Sequence, residues 1–384
     1  MRISADWLRA SPTRAVMDCL IAGGEAAWFV GGCVRNTILA APVADIDIAT
    51  VLPPKEVMAR ANAAGLKSVP TGIDHGTVTL VADGRPFEVT TLRRDVETFG
   101  RHATVAFSDD ISEDAARRDF TMNALYADAK GEVADPMGGL PDLQARRVRF
   151  VGEPTARITE DYLRILRLFR FHAWYGDPEA GIDGPALSAC ARLQDGLDGL
   201  SRERVGAEMT KLLSAPDPAP SASEMAAIGI LARILPGAEA HALPDLVATE
   251  KQARVPPRWQ RRLAALGAAG TWADALRLSK ANRKAIELIE AARVSGAGPA
   301  ENAYRHGSDA ARDAALIASA TTGKPLPEHL EAEIDRGARA VFPVKARDLD
   351  LKGPELGRAL RELEKRWIAS DFQAETQDLL SSLP

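Results

Sequence analysis

A strand, a pair of glycines and a short helix lead here to a second strand carrying two aspartates, an order that few folds accommodate. Residues 26–30 (AAWFV) read as a buried strand ending at Gly31-Gly32. A helix fits 34–39 and stops before Pro42, and ADIDIAT (44–50) alternates polar and apolar residues, the period of a half-buried strand. Glycine lets a backbone approach a ligand closely, and a strand–glycine–helix junction presents N–H groups to phosphate. Arg35 can add a charged fork there. Asp45 and Asp47, two apart on a strand, face the same way. Two such carboxylates repel unless a cation lies between them, and hard Mg²⁺ suits them, completed by waters and substrate phosphates. Taken singly, a DxD also fits a solvated strand face and a GG an ordinary turn. The ordered combination is what points to phosphate chemistry.

The elements around this core divide the chain. TVTLVA (77–82), Gly84 and FEVTTL (87–92) predict a hairpin, and a helix fits 54–64 with Gly65 as its stop. The first 150 residues therefore read as an α+β module with a mixed or antiparallel sheet. From about Thr159 the pattern turns helical: TEDYLRILRLFRFHAWYG carries apolar residues at three- and four-residue spacing behind Thr159 as N-cap. Further helices fit 184–197, 201–214 and 223–234, and SAPDPAPSAS (214–223) has linker composition. The expected organisation is 1–150, 151–214 and 224–384, the last two all-α. An apolar fraction of 46% over 384 residues supplies a sizeable core and excludes a mainly disordered chain. Three dispersed cysteines with no CxxC exclude a disulfide framework or a cysteine zinc site. No stretch approaches the roughly 18 apolar residues of a membrane span, and the N-terminus lacks a signal-peptide layout. No membrane partner is expected, and the cytoplasm is the simplest compartment.

Three more clusters carry chemistry. Glu88, in FEVTTLRRD, completes a carboxylate trio if its strand lies beside the DxD strand, as a two-metal phosphoryl-transfer site requires; an edge-strand Glu facing water fits the pattern too. In DAARRDFTMNAL (114–125), Arg118 suits a phosphate, and Asp119 and Asn123 suit a ribose hydroxyl, while a capping and salt-bridge cluster is an equal reading. In EDYLRILRLFR (160–170), Asp161 and Arg164 are i, i+3 neighbours. A fixed Asp–Arg pair offers the acceptor and the donor fork needed to read a base edge without a template. The same spacing describes a surface ion pair.

GGCVRN…DID, RRDVETFGRHA (93–103), RRDFTMNALY (117–126), TEDYLRILRLFRF (159–171) and SRERVGAEM (201–209) occur in this order. Together they resemble the class II CCA-adding enzyme and bacterial poly(A) polymerase family of the DNA polymerase β superfamily. The resemblance spans residues 25–210 and returns weakly in KGPELGRALRELEKRW (352–367). It implies a nucleotidyltransferase head with a small mixed sheet, then an all-α neck, body and tail. It implies that Asp45 and Asp47 hold two Mg²⁺ ions, with Glu88 as the third catalytic carboxylate by strand position. Gly32 and Arg35 then bind the triphosphate, and Arg118, Asp119 and Asn123 support sugar and phosphates. Asp161 and Arg164 select CTP or ATP, Arg167 and Arg170 assist, and a flexible loop containing Asp95 and Gly100 reshapes the pocket. Asn36 stands where many members have Asp and is left out of the metal set.

The implied reaction is addition of C, C and A to the tRNA 3′ end with release of pyrophosphate. Poly(A) members tend to carry a basic segment after the first motif; here the region reads LKSVPTGIDHGTVTL, which favours CCA addition. Poly(A), A-only or CC-only addition, or an inactive RNA-binding protein, are the alternatives. The net charge of −5 conceals a basic stretch: from Lys251 to Arg293, ten Lys/Arg stand against three acids, with Trp259 and Trp272 interleaved. That is the footprint a tRNA backbone requires, with Arg258, Arg261, Arg262, Lys280, Arg283 and Lys284 as candidate contacts; a solvated helical face has the same composition.

Overall fold

The computed structural model describes residues 1–99, 102–267 and 272–383. The chain forms two compact units, 1–230 and 231–384. The first is α+β and the second helical among its described residues.

Unit one is built on a seven-stranded sheet in the order β3-β4-β5-β2-β1-β8-β9. The strands that position the site are β1 (Ala27–Val30), β2 (Asp47–Thr50), β4 (Thr77–Ala82), β5 (Arg85–Thr91) and β8 (Tyr126–Ala127). The edge strands are β3 (Lys67–Gly72) and β9 (Val133–Ala134). The sheet is mixed: β2 runs parallel to β5, and the other pairings are antiparallel. In β4 the alternation is direct, with Val78, Leu80 and Ala82 buried and the residues between them partly exposed. β6 (Arg93–Phe99) and β7 (His102–Phe107) pair with each other outside this sheet.

Helix α1 (Ser11–Ile21) buries Val16, Met17 and Leu20, and α2 (Gly32–Ile38) follows β1 directly. Helix α3 (Pro54–Ala63) follows β2, and α4 (Ile111–Ala116) starts where the Asp110 carboxylate accepts the Ser112 N–H. Under the site lies a core of Val30, Ala49, Leu92, Ala115, Ala124, Tyr126 and Val151. The helical part of unit one contains α5 (Pro154–Glu160), α6 (Leu163–Tyr175), α7 (Gly184–Leu193), α8 (Arg202–Leu213) and α9 (Ala219–Ala227).

Two sequence expectations give way here. The single helix behind Thr159 is two helices, broken at Asp161, whose backbone is extended (φ −152°, ψ 105°). Thr159 lies inside α5, where its hydroxyl bonds the Thr155 carbonyl, so it caps nothing. The linker-like stretch is partly α9, with Ala219, Ser221 and Ala222 buried. Its small residues pack closely, which composition alone reads as looseness.

Unit two includes α10 (Leu243–Gln252), α11 (Trp259–Ala265), α12 (Lys280–Val294), α13 (Pro299–His306), α14 (Ser308–Thr322), α15 (Leu330–Arg339) and α16 (Gly353–Ala369). Its C-terminal core gathers Leu363, Trp367, Val344 and Leu379, with Tyr304, Phe342 and Phe372 against them. Among the described residues, no helix is long and apolar enough to cross a membrane.

Candidate nucleotidyl-transfer site

The parallel pairing of β2 with β5 places Asp47 opposite Glu88. This is the juxtaposition on which the sequence reading of Glu88 depends. Asp45 precedes β2 rather than lying on it and is exposed. Burial and the charge of Glu88 push the Asp47 carboxyl up to about 6; Arg118 pulls the other way and Asp45 adds to the rise. Asp47 thus lies within the field of both neighbouring carboxylates. Among the described residues no three His, Cys, Asp or Glu side chains close around one point as a ready metal cage. The donor chemistry nevertheless fits a hard cation: oxygen ligands of one sign, whose mutual repulsion a divalent ion relieves.

Beside them, Gly31 has φ 70° and ψ −116°, a conformation suited to glycine, and starts α2. A Cβ there would sit 3.5 Å from Arg118 Nη1. Arg118 is held in this place from behind. Its Nε and Nη2 donate to Asp114 at 3.3 and 3.0 Å, and Nε also meets the Tyr126 hydroxyl at 3.0 Å. Tyr126 in turn donates to Asp114 at 2.6 Å, and Arg117 binds the other oxygen of the same carboxylate. Asp114 is buried and organises this corner; the sequence reading passed it over, although an acid three and four residues before an Arg-Arg pair is the available signal.

Other expected ligand contacts are spent on an internal network. Arg35 is buried; it donates to Asn36 Oδ1, Asn123 Oδ1 and the Tyr175 hydroxyl, and stacks 4.0 Å over the Tyr175 ring. All three of its nitrogens have partners, so in this conformation it braces α2 against α6 rather than offering a triphosphate fork. Asn123 donates to Asp119 at 3.0 Å, and Asp119 accepts two bonds from Arg167. Burial alone would raise the Asp119 pKa, but Arg167 and Asn123 outweigh it and hold it at about 2. Arg170 donates to buried Glu208 at 2.6 Å. The pair expected to read a base does not pair with itself. Asp161 accepts from Arg204 at 2.6 Å, and Arg164 donates to Glu160 and to the Arg157 carbonyl. Arg204 and Glu208 come from SRERVGAEM, whose four-residue spacing puts both on one face of α8.

Gly32 is half-buried at the start of α2. Asp95 lies on strand β6, not in an irregular loop, and Gly100 lies outside the described residues. In unit two the basic stretch divides. Arg261 and Arg262 are 1% exposed and bound to Glu250, with Arg261 also on Asp313. They are core ion pairs and cannot touch a tRNA backbone. Arg258 binds Asp313, and Arg283 binds Asp274 at 2.9 Å. Lys280 and Lys284 are exposed on α12.

The chain has relatives of known kind. Residues 27–149 match the family model of the poly A polymerase head domain, and residues 182–241 that of the probable RNA and SrmB-binding site of polymerase A. A CCA-adding enzyme of Geobacillus thermodenitrificans is 36% identical over 344 residues, 84% of this chain and 81% of that protein. One of Limosilactobacillus fermentum is 30% identical over 404 residues, 97% and 96% of the two chains. The crystal structure of the Bacillus stearothermophilus CCA-adding enzyme in complex with CTP superposes with a TM-score of 0.74 at 29% identity, covering 94% of this chain and 93% of that one.

Proposed function

Because this chain belongs to the family of CCA-adding enzymes, we propose that it adds C, C and A to the 3′ end of tRNA from CTP and ATP, without a template, and releases pyrophosphate. The observation that carries the reading is the Asp47–Glu88 register beside Arg118, in a chain related to its neighbours over nearly its full length. The family's transfer is metal-dependent. Asp45 and Asp47 would hold Mg²⁺, as a two-ion site with Glu88 beside it. Bound there, the metal supplies activation of the attacking 3′-hydroxyl and neutralisation of the triphosphate.

The chain's own residues do the rest. Arg118, fixed by Asp114 and Tyr126, presents its Nη1 beside Gly31, at the start of the helix that meets the phosphates. Asp119, Asn123 and Arg167 hold the wall between α2 and α6 rigid, so the sugar meets a preformed surface. Asp161 accepts from the amino group of cytosine or adenine, and Arg164 donates to the neighbouring ring acceptor after leaving Glu160. Residues 1–150 form the catalytic head, 151–214 the nucleotide-selecting neck, and 224–384 the tRNA-binding part, in which exposed Lys280 and Lys284 suit phosphate contacts. The three cysteines are free and buried, in keeping with work in the cytoplasm.

The test is incubation of the protein and Mg²⁺ with tRNA ending before its CCA, with CTP, ATP or both. Two C with CTP alone, and CCA followed by arrest with both, support the reading. A long A tail assigns poly(A) synthesis, and A added only to a preformed CC end assigns the A-adding activity.

A further inference from the structure

Asp161 uses its two oxygens separately. Oδ1 accepts the Leu163 N–H, the first of α6, at 3.1 Å, while Oδ2 accepts Arg204 Nη2 at 2.6 Å. The side chains are 24% and 21% exposed, so the pair is sheltered but reachable. Arg204 projects from the first turn of α8, which is capped by Ser201 and anchored by buried Val205, Met209 and Leu212. One turn on, Glu208 holds Arg170. The carboxylate of Asp161 is therefore fixed at both oxygens, one by the helix that follows it and one by α8.

That orientation has a chemical consequence. An ionised carboxylate only accepts hydrogen bonds. Cytosine N4 and adenine N6 donate, whereas the oxygens at the same place in uracil and guanine only accept. How well a carboxylate separates CTP from UTP, or ATP from GTP, depends on how firmly its oxygen is aimed.

We infer that Arg204 is a specificity-determining positioning residue: it aims the Asp161 carboxylate at the base amino group and touches no nucleotide itself. The inference rests on the reading of Asp161 as the base-reading acid. With Arg204 removed, the Leu163 bond still holds one oxygen, but the other is free to turn toward water.

The experiment measures kcat/KM for CTP and for UTP on tRNA lacking its CCA, for the wild type, Arg204→Gln, Arg204→Lys, Asp161→Ala and the double variant Arg204→Gln/Asp161→Ala, with a melting temperature for each. Arg204→Gln should lower the CTP-over-UTP ratio by about ten-fold, mainly through KM for CTP, the loss expected of one charge-assisted hydrogen bond. Arg204→Lys should recover part of it, keeping the charge without the fork. The double variant should discriminate no worse than Asp161→Ala, because both changes remove one interaction. An unchanged ratio in folded Arg204→Gln, with Asp161→Ala altered, overturns the inference and leaves the reading of Asp161 standing; should Arg204→Gln fail to fold, a ratio in folded Arg204→Lys lower than that of the wild type supports the inference and an unchanged one overturns it. An unchanged ratio in Asp161→Ala overturns that reading itself, and the inference with it.

Discussion

Asp47 and Glu88 stand directly opposite each other on parallel strands β2 and β5. Burial and the charges of Glu88 and Asp45 disfavour the Asp47 carboxylate, and Arg118 moderates them. A pair held at such a cost to the fold is characteristic of a site built for function.

Removing one of these acids should therefore separate activity from stability. Asp47→Ala is expected to lower nucleotide incorporation by at least about a hundred-fold, the scale of losing a transition-state electrostatic contact. Its melting temperature in metal-free buffer should not fall, because a repelling charge has gone. Asp45→Ala should behave alike. Activity assays beside thermal melts check this, and a large loss of stability with little loss of rate would contradict it.

Asp114 should behave in the opposite way. It is buried and takes bonds from Arg117, Arg118 and the Tyr126 hydroxyl. Asp114→Ala takes the shared acceptor from two partly buried guanidinium groups and a buried phenol, a cost of about 3 kcal/mol, the low end for breaking a buried pair. Urea unfolding of unit one measures that cost. Any folded fraction should also show a raised KM for nucleotide, because Arg118 loses its support.

The acid limb of stability should depend on Asp119. Its folded pKa of about 2 lies below the ordinary value near 3.9. The pair with Arg167 therefore stabilises the fold above about pH 4, by about 2 kcal/mol, and that contribution drains away as pH falls toward 2. Asp119→Asn should be less stable than the wild type at pH 7, and the gap should narrow as pH drops below 4. Urea midpoints at several pH values test the slope; a gap independent of pH would show that the charge is not the source.

The sequence displayed the strands and the carboxylates well. Alternation marks β4 and β5, and the DxD follows its glycines at the spacing the fold uses. Partner choice was not legible. Asp161 and Arg164 look like a pair by spacing, but the helix breaks at Asp161, which finds Arg204 from another helix, while Arg164 turns to Glu160. Arg35 looks like a ligand fork, yet its contacts with Tyr175 span 140 positions of sequence. Arg261 and Arg262 carry the same charge as Lys280, and a charge count cannot tell a core ion pair from a surface cation. That distinction depends on Glu250 and Asp313, which long-range packing brings to them.

The basic stretch should divide in experiment as it does in structure. Glu250→Ala removes a buried carboxylate that binds both Arg261 and Arg262 and should cost about 3–5 kcal/mol of unit-two stability. Lys280→Ala and Lys284→Ala should leave stability within about 0.5 kcal/mol. If tRNA lies against α12, each should weaken tRNA binding and lower the salt slope of log affinity by about one. Unchanged binding in the double lysine variant would move the RNA contact elsewhere.

Nucleotidyl transfer through Asp47 is tested by setting the wild type beside Asp47→Ala, with tRNA ending before its CCA, Mg²⁺, CTP and ATP, and reading the 3′ ends by sequencing. The wild type should add C, C and A and stop, and the folded variant should add nothing in the same time. A complete CCA end made by Asp47→Ala would remove Asp47 from the catalytic site, and no addition by the wild type would overturn CCA addition as its activity.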